Sequence, residues 1–264
     1  MINEKNKIKK AFETPNKKAF IVFLTAGDPD ADSTVNFVLE AEKAGADLVE
    51  IGIPFSDPTA EGVVIQDANI RALKNGMTTD GAFDIVRRIR EQSQIPICFM
   101  TYCNPVFHYG YDRFFQKCEE LGVDGIILPD LPYEEKEEVE VPANAHNVAL
   151  ITMIAPTSEE RIQSVAKEAK GFIYVVSSMG VTGVRSEIKT DLASIVESIR
   201  QVTDVPCAIG FGISTPEQAK KMAALSDGSI VGSAAVKIIA AEGAGAAPKL
   251  YEYIRSMKEA VAEA

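Results

Sequence analysis

Eight short and almost wholly apolar runs recur along the chain: AFIVFLTAG (19–27), DLVEIGI (47–53), PICFMTY (96–102), DGIILPD (124–130), VALITMI (148–154), GFIYVVS (171–177), PCAIGFG (206–212) and GSIVGS (228–233). Polar residues do not alternate inside them, so each is expected to be a strand buried on both faces, which is the pattern of a parallel sheet. Between the runs, apolar positions recur at helical spacing, as in DSTVNFVLEAEKAG, GAFDIVRRIREQS, YDRFFQKCEELG, SEERIQSVAKEAKG and TPEQAKKMAALSDG. Several of these segments open on a capping Ser, Thr or Asp, and several stop at Gly. Eight alternating βα units close most economically into a (β/α)8 TIM barrel. A doubly wound open sheet is the alternative, because the order of strands in space is not written in the sequence. The first dozen residues are expected to add a helix before the first strand. No linker, low-complexity tract or strong internal repeat interrupts the pattern, so residues 1–264 are expected to form a single domain.

Composition narrows the function. The chain has 264 residues, 46% of them hydrophobic, enough for a large core. A net charge of -11 leaves no basic stripe for a phosphate backbone, so nucleic acid is not an expected partner. The N-terminal MINEKNKIKKAFE is charged, and no run of about 18 apolar residues follows, so the expected location is the cytoplasm and no membrane is involved. Cys98, Cys103, Cys118 and Cys207 form no C-x-x-C pair and read as small buried hydrophobes. His108 and His146 are the only histidines and lie far apart, so no metal site is expected.

Polar residues gather where a barrel builds its active site, at the C-terminal ends of the strands. Thr25 and Asp28 follow the first run, Glu50 ends the second, and Asp57 and Glu61 lie in the loop after it. Tyr102 and Asn104 end the third run, Asp130 the fourth, and Tyr174 and Ser177 lie on the sixth. Glu50 is the sharpest case: a carboxylate in an apolar strand is costly unless it is paired, hydrogen-bonded or neutralised. It is either satisfied by backbone N–H groups or Tyr174, or it is a general acid or base with a raised pKa. Glycines form a second constellation, in GVTG (180–183), GFG (210–212) and GS (232–233), on three adjacent loops. Gly232 and Ser233 precede the helical AAVKII, so they sit at a helix N-terminus that favours an anion, where barrels often bind phosphate.

A phosphorylated small molecule handled by carboxylates, with neither a catalytic lysine nor a metal, must carry its own electron sink. An indole ring does this, since protonation at C3 makes an iminium. One carboxylate would then move protons and another would accept the indole N–H.

The motifs FLTAGDPD, AGADLVEIGIPFSDPTAEG, VIQ, GVTGVRSEI, GFGIS and GSAAVKII, in this order and spacing, resemble the tryptophan synthase alpha subunit family over nearly the whole chain. The resemblance implies a barrel that cleaves indole-3-glycerol phosphate to indole and glyceraldehyde 3-phosphate. It also implies a pyridoxal phosphate-dependent beta subunit as partner in an alpha2beta2 assembly, with no cofactor on this chain. By motif, Glu50 is the acid–base residue and Glu61 stands at the acid that binds the indole N–H. Phe23, Tyr102 and Tyr174 are assigned to the substrate pocket; Gly183, Gly212, Gly232 and Ser233 to phosphate; and Thr182 to closure against the second acid. Pro54, Asp57 and Asn104 correspond to positions near the partner contact. The family pattern reads Ala-Asp-Gly-Pro where this chain reads AEGV, so Glu61 replaces Asp and Val63 replaces Pro. Two other readings compete: a subunit that binds the substrate and chiefly activates its partner, and another phosphate-binding barrel enzyme such as an isomerase or epimerase.

Overall fold

The computed structural model describes residues 2–13, 18–177 and 191–264. The eight apolar runs become strands β1 (Ala19–Thr25), β2 (Leu48–Gly52), β3 (Ile97–Met100), β4 (Gly125–Ile127), β5 (Ala149–Ile154), β6 (Lys170–Val176), β7 (Cys207–Gly210) and β8 (Gly228–Val231). They pair in parallel and in chain order, and β8 closes on β1 with Ile21 opposite Ile230 and Val22 opposite Val231. The open-sheet alternative is thereby excluded, because both of its edge strands are paired with each other.

The expected leading helix is α1 (Ile8–Phe12). After β1 comes α2 (Ala31–Lys43); after β2, α3 (Val63–Lys74) and α4 (Thr79–Arg90); after β3, α5 (Cys103–Tyr109) and α6 (Tyr111–Leu121). Then α7 (Glu137–Ala145), α8 (Glu159–Ala166), α9 (Leu192–Arg200) and α10 (Pro216–Leu225) follow β4 to β7 in turn, and α11 (Ser233–Glu242) and α12 (Ala247–Ala262) follow β8. The capping signals work as expected. Asp30 accepts from Ser33 N at 2.7 Å, and Thr215 and Gln218 form a reciprocal capping box ahead of α10.

Alternation along the strands divides the core in two. Outward residues such as Val22, Val49, Phe99 and Ile173 pack against the helices. Inward residues such as Ile21, Leu48, Cys98, Ala149 and Phe172 fill the barrel, and Ile8 of α1 closes its base, fully buried. Glycine makes room for that plug: a Cβ at Gly125 would stand 3.1 Å from Ile8 Cδ1. With the base filled, the open end of the barrel is the one where the βα loops meet. Among the described residues, no helix is long and apolar enough to cross a membrane.

Candidate active site

One cavity opens at the C-terminal ends of the strands. Phe23, Glu50, Met100, Tyr174 and Ile230 line it from the inward side of β1, β2, β3, β6 and β8. Loops and helix starts supply Ala60, Glu61, Ile65, Pro129, Phe211, Gly212, Ile213, Gly232 and Ser233. Seven residues singled out from sequence therefore meet here: Phe23, Glu50, Glu61, Tyr174, Gly212, Gly232 and Ser233.

The two aromatic walls depend on glycine in the neighbouring strand. A Cβ at Gly52 would lie 2.5 Å from Phe23 Cζ, and one at Gly210 would lie 2.4 Å from the Tyr174 hydroxyl. The third aromatic, Phe211, has no signal of its own in the sequence. It sits at φ 74°, a backbone region an aromatic residue seldom enters. The fully buried Ser177 donates its hydroxyl to the Phe211 carbonyl at 2.6 Å, and the Phe211 ring meets Tyr174 edge-on at 5.8 Å between centroids. Surrounding contacts hold this strained residue against the cavity, as expected where a backbone outlier shapes a site.

Glu50 is 1% exposed, and its Oε1 has no hydrogen-bond partner among the described residues. Backbone groups and Tyr174 thus do not satisfy that oxygen. Burial raises the Glu50 pKa to about 8, so the side chain is mostly a neutral acid at neutral pH. Glu61 is raised to about 7, chiefly by burial, with hydrogen bonds from Asn69 and Tyr102 opposing the rise. Asn69 Nδ2 donates to Glu61 Oε2 at 2.6 Å, and Gln66 Nε2 donates to the Glu61 carbonyl at 2.7 Å. The cavity thus holds two buried carboxyls whose pKa values are both raised toward neutrality, where a side chain can serve as general acid or base.

At another part of the cavity wall, α11 begins. Gly232 is its N-cap, with no side chain to satisfy the first-turn N–H groups, and Gly212 lies nearby in the lining at φ 75°. Free amides at a helix start favour a phosphate. Thr182 and Gly183 lie outside the described residues.

The remaining candidates read from the sequence have different surroundings. Tyr102 is not part of the cavity lining; it is 2% exposed, accepts from Ala60 N–H at 3.1 Å and hydrogen-bonds Glu61. Asp28 forms a two-pronged ion pair with Arg71, both contacts at 2.8 Å, and Asp130 accepts from Cys103 N–H at 3.0 Å where α5 starts. Both carboxylates therefore brace loops. Pro54 is buried, whereas Asp57 and Asn104 are exposed on the rim, near the same end of the barrel as the 68% exposed Phe107 of α5. Among the described residues, no group of three or more His, Cys, Asp or Glu side chains is placed to hold a metal ion.

A family profile described as "Tryptophan synthase alpha chain" matches residues 10–262. The chain belongs to the tryptophan synthase alpha chain family. It is 49% identical to the tryptophan synthase alpha chain of Lacticaseibacillus casei over 246 residues, covering 93% of this chain and 92% of that one. With that of Lactiplantibacillus plantarum the identity is 50% over 247 residues, 93% of each chain. Among solved structures, the tryptophan synthase alpha chain of Legionella pneumophila superposes with a TM-score of 0.87 at 37% identity, covering 97% of both chains. A structure described as the tryptophan synthase a2b2 complex of Pyrococcus furiosus gives 0.83 at 36% identity, covering 91% of this chain and 98% of that one. Within the tryptophan synthase alpha pattern, the Val63 exchange falls at the first residue of α3, with Gly62 as N-cap, and Val63 is 70% exposed. That position tolerates proline best, so its replacement gives up a preset φ and disturbs no helical hydrogen bond.

Proposed function

We propose that this chain cleaves indole-3-glycerol phosphate to indole and D-glyceraldehyde 3-phosphate in L-tryptophan biosynthesis. The observation that carries the reading is the meeting, in one cavity, of two buried carboxyls: Glu50, with Oε1 unpartnered among the described residues and a pKa raised to about 8, and Glu61, raised to about 7. The bond to be broken joins indole C3 to the carbinol carbon of the glycerol phosphate. Glu50 donates its proton to C3, and the ring becomes an iminium whose N–H is held by the Glu61 carboxylate. The Glu50 carboxylate then removes the carbinol hydroxyl proton, the aldehyde C=O forms, and the electrons of the breaking C–C bond return to the ring. One proton is given and one recovered, so Glu50 ends as it began.

Gly212, Gly232 and Ser233 hold the phosphate, joined by Gly183 on the strength of the motif, and Phe23 and Tyr174 flank the substrate. Thr182 is assigned, again by motif, to the contact that closes over Glu61. The reaction needs no cofactor on this chain. Indole passes to a pyridoxal phosphate-dependent beta subunit in an alpha2beta2 assembly, with Pro54, Asp57 and Asn104 at or near the contact. Residues 1–264 act as one barrel domain, placed in the cytoplasm in keeping with four unpaired cysteines.

The mechanism requires ionised Glu61 and protonated Glu50. kcat/KM is therefore expected to rise with pH as Glu61 ionises near 7 and to fall as Glu50 loses its proton near 8, giving a narrow bell. Product analysis tests the reaction itself. Indole and glyceraldehyde 3-phosphate should appear in equal amounts, and formation of one without the other would overturn the proposal.

A further inference from the structure

Asn69 lies on the buried face of α3 beside Ile65, Ala68 and Ala72, and is 4% exposed. A polar side chain on such a face has to find a partner, and Nδ2 donates to Glu61 Oε2 at 2.6 Å. Tyr102 completes the grip, since its hydroxyl accepts from Ala60 N–H at 3.1 Å and also hydrogen-bonds the Glu61 side chain. The helix behind Asn69 is itself braced. Two residues further on, Arg71 pairs with the buried Asp28 through both prongs, and Asn75 Nδ2 donates to the Pro29 carbonyl at 2.6 Å. A donor on a braced helix thus meets an acid on a loop.

We infer that Asn69 is a positioning residue that fixes the Glu61 carboxylate in the cavity so that it meets the ring N–H of the substrate. The inference rests on the proposed role of Glu61. A carboxylate offers about four acceptor directions, so Asn69 and Tyr102 together leave room for the substrate. The grip also suits a glutamate: its longer stem has more rotamers than an aspartate's, and two donors select among them. Because Asn69 bonds the charged form, its loss also makes Glu61 harder to ionise.

The test compares Asn69→Ala and the same-shaped Asn69→Asp with wild type, using Glu61→Gln as control. Two readouts are taken: the pH dependence of kcat/KM, and the titration of the Glu61 carboxyl by carbon-13 NMR. In Asn69→Ala the acidic limb and the Glu61 titration should both move to higher pH. kcat/KM near neutrality should fall about 10- to 100-fold, the scale of one hydrogen bond to a charge. Asn69→Asp places a second carboxyl beside the first, so both readouts should move further. If Glu61→Gln is inactive but limb and titration stay put in both Asn69 variants, the inference alone is overturned. If Glu61→Gln turns over like wild type, the role of Glu61 falls and takes the inference with it.

Discussion

Glu50 is ordinarily a group of pKa 4.5, and in the barrel it holds its proton to about 8. Between those values the folded chain keeps a proton that the unfolded chain has lost. The contribution to stability is therefore complete below 4.5 and is lost as pH rises through 8. A shift of this size corresponds to several kcal/mol, at roughly 1.4 kcal/mol per pKa unit. Glu50→Gln removes the titration, so its urea-unfolding free energy should fall less between about pH 5 and about pH 9 than that of wild type, and the variant should be the more stable of the two at the upper end. Equal slopes would contradict the burial argument. At this scale Glu50 was legible in the sequence because a lone carboxylate interrupts an apolar strand. Asn69 was not, because its importance lies in a contact between α3 and a loop. Its one signal is a polar residue on the apolar face of VIQDANIRA.

At the scale of elements, the strands were legible because runs buried on both faces need no alternation, and the inward and outward sets followed from the strand period of two. The shape of the cavity was harder to foresee. It depends on Gly52 and Gly210, whose missing side chains admit the rings of Phe23 and Tyr174, and on Phe211 in a left-handed conformation. GFG suggested flexible phosphate donors, whereas the structure also makes its middle residue a wall. Gly210→Ala would drive a methyl into the Tyr174 hydroxyl. It should raise KM for the substrate and lower stability by about 1–3 kcal/mol, the usual range for overpacking. Steady-state kinetics and urea unfolding on the same preparation check both. An unchanged KM would mean that Tyr174 does not border the bound substrate.

For the molecule as a whole, closure of the barrel collects residues from five strands and several loops into one cavity, and it leaves Asp57, Asn104 and Phe107 exposed toward the loop end. An exposed Phe at this end, close in sequence to Asn104, suits a partner surface better than bulk water. Phe107→Glu should therefore leave the free chain within about 0.5 kcal/mol of wild-type stability, as usual for exposed positions. Its affinity for a beta subunit should fall at least about 10-fold, one factor of ten being about 1.4 kcal/mol. Isothermal titration with the beta subunit measures this, and undiminished affinity would remove Phe107 from the interface.

In the proposed reaction Glu50 transfers the proton on which cleavage of the carbon–carbon bond depends. Its most direct test is indole release from indole-3-glycerol phosphate by wild type and Glu50→Gln, each alone and with a beta subunit. Wild type should release indole, and Glu50→Gln should lose about 100-fold or more of the rate in both settings, as expected for a general acid–base residue. Full turnover by Glu50→Gln would contradict the account, and no release by wild type in either setting, with the substrate still bound, would make this chain a binding and activating subunit.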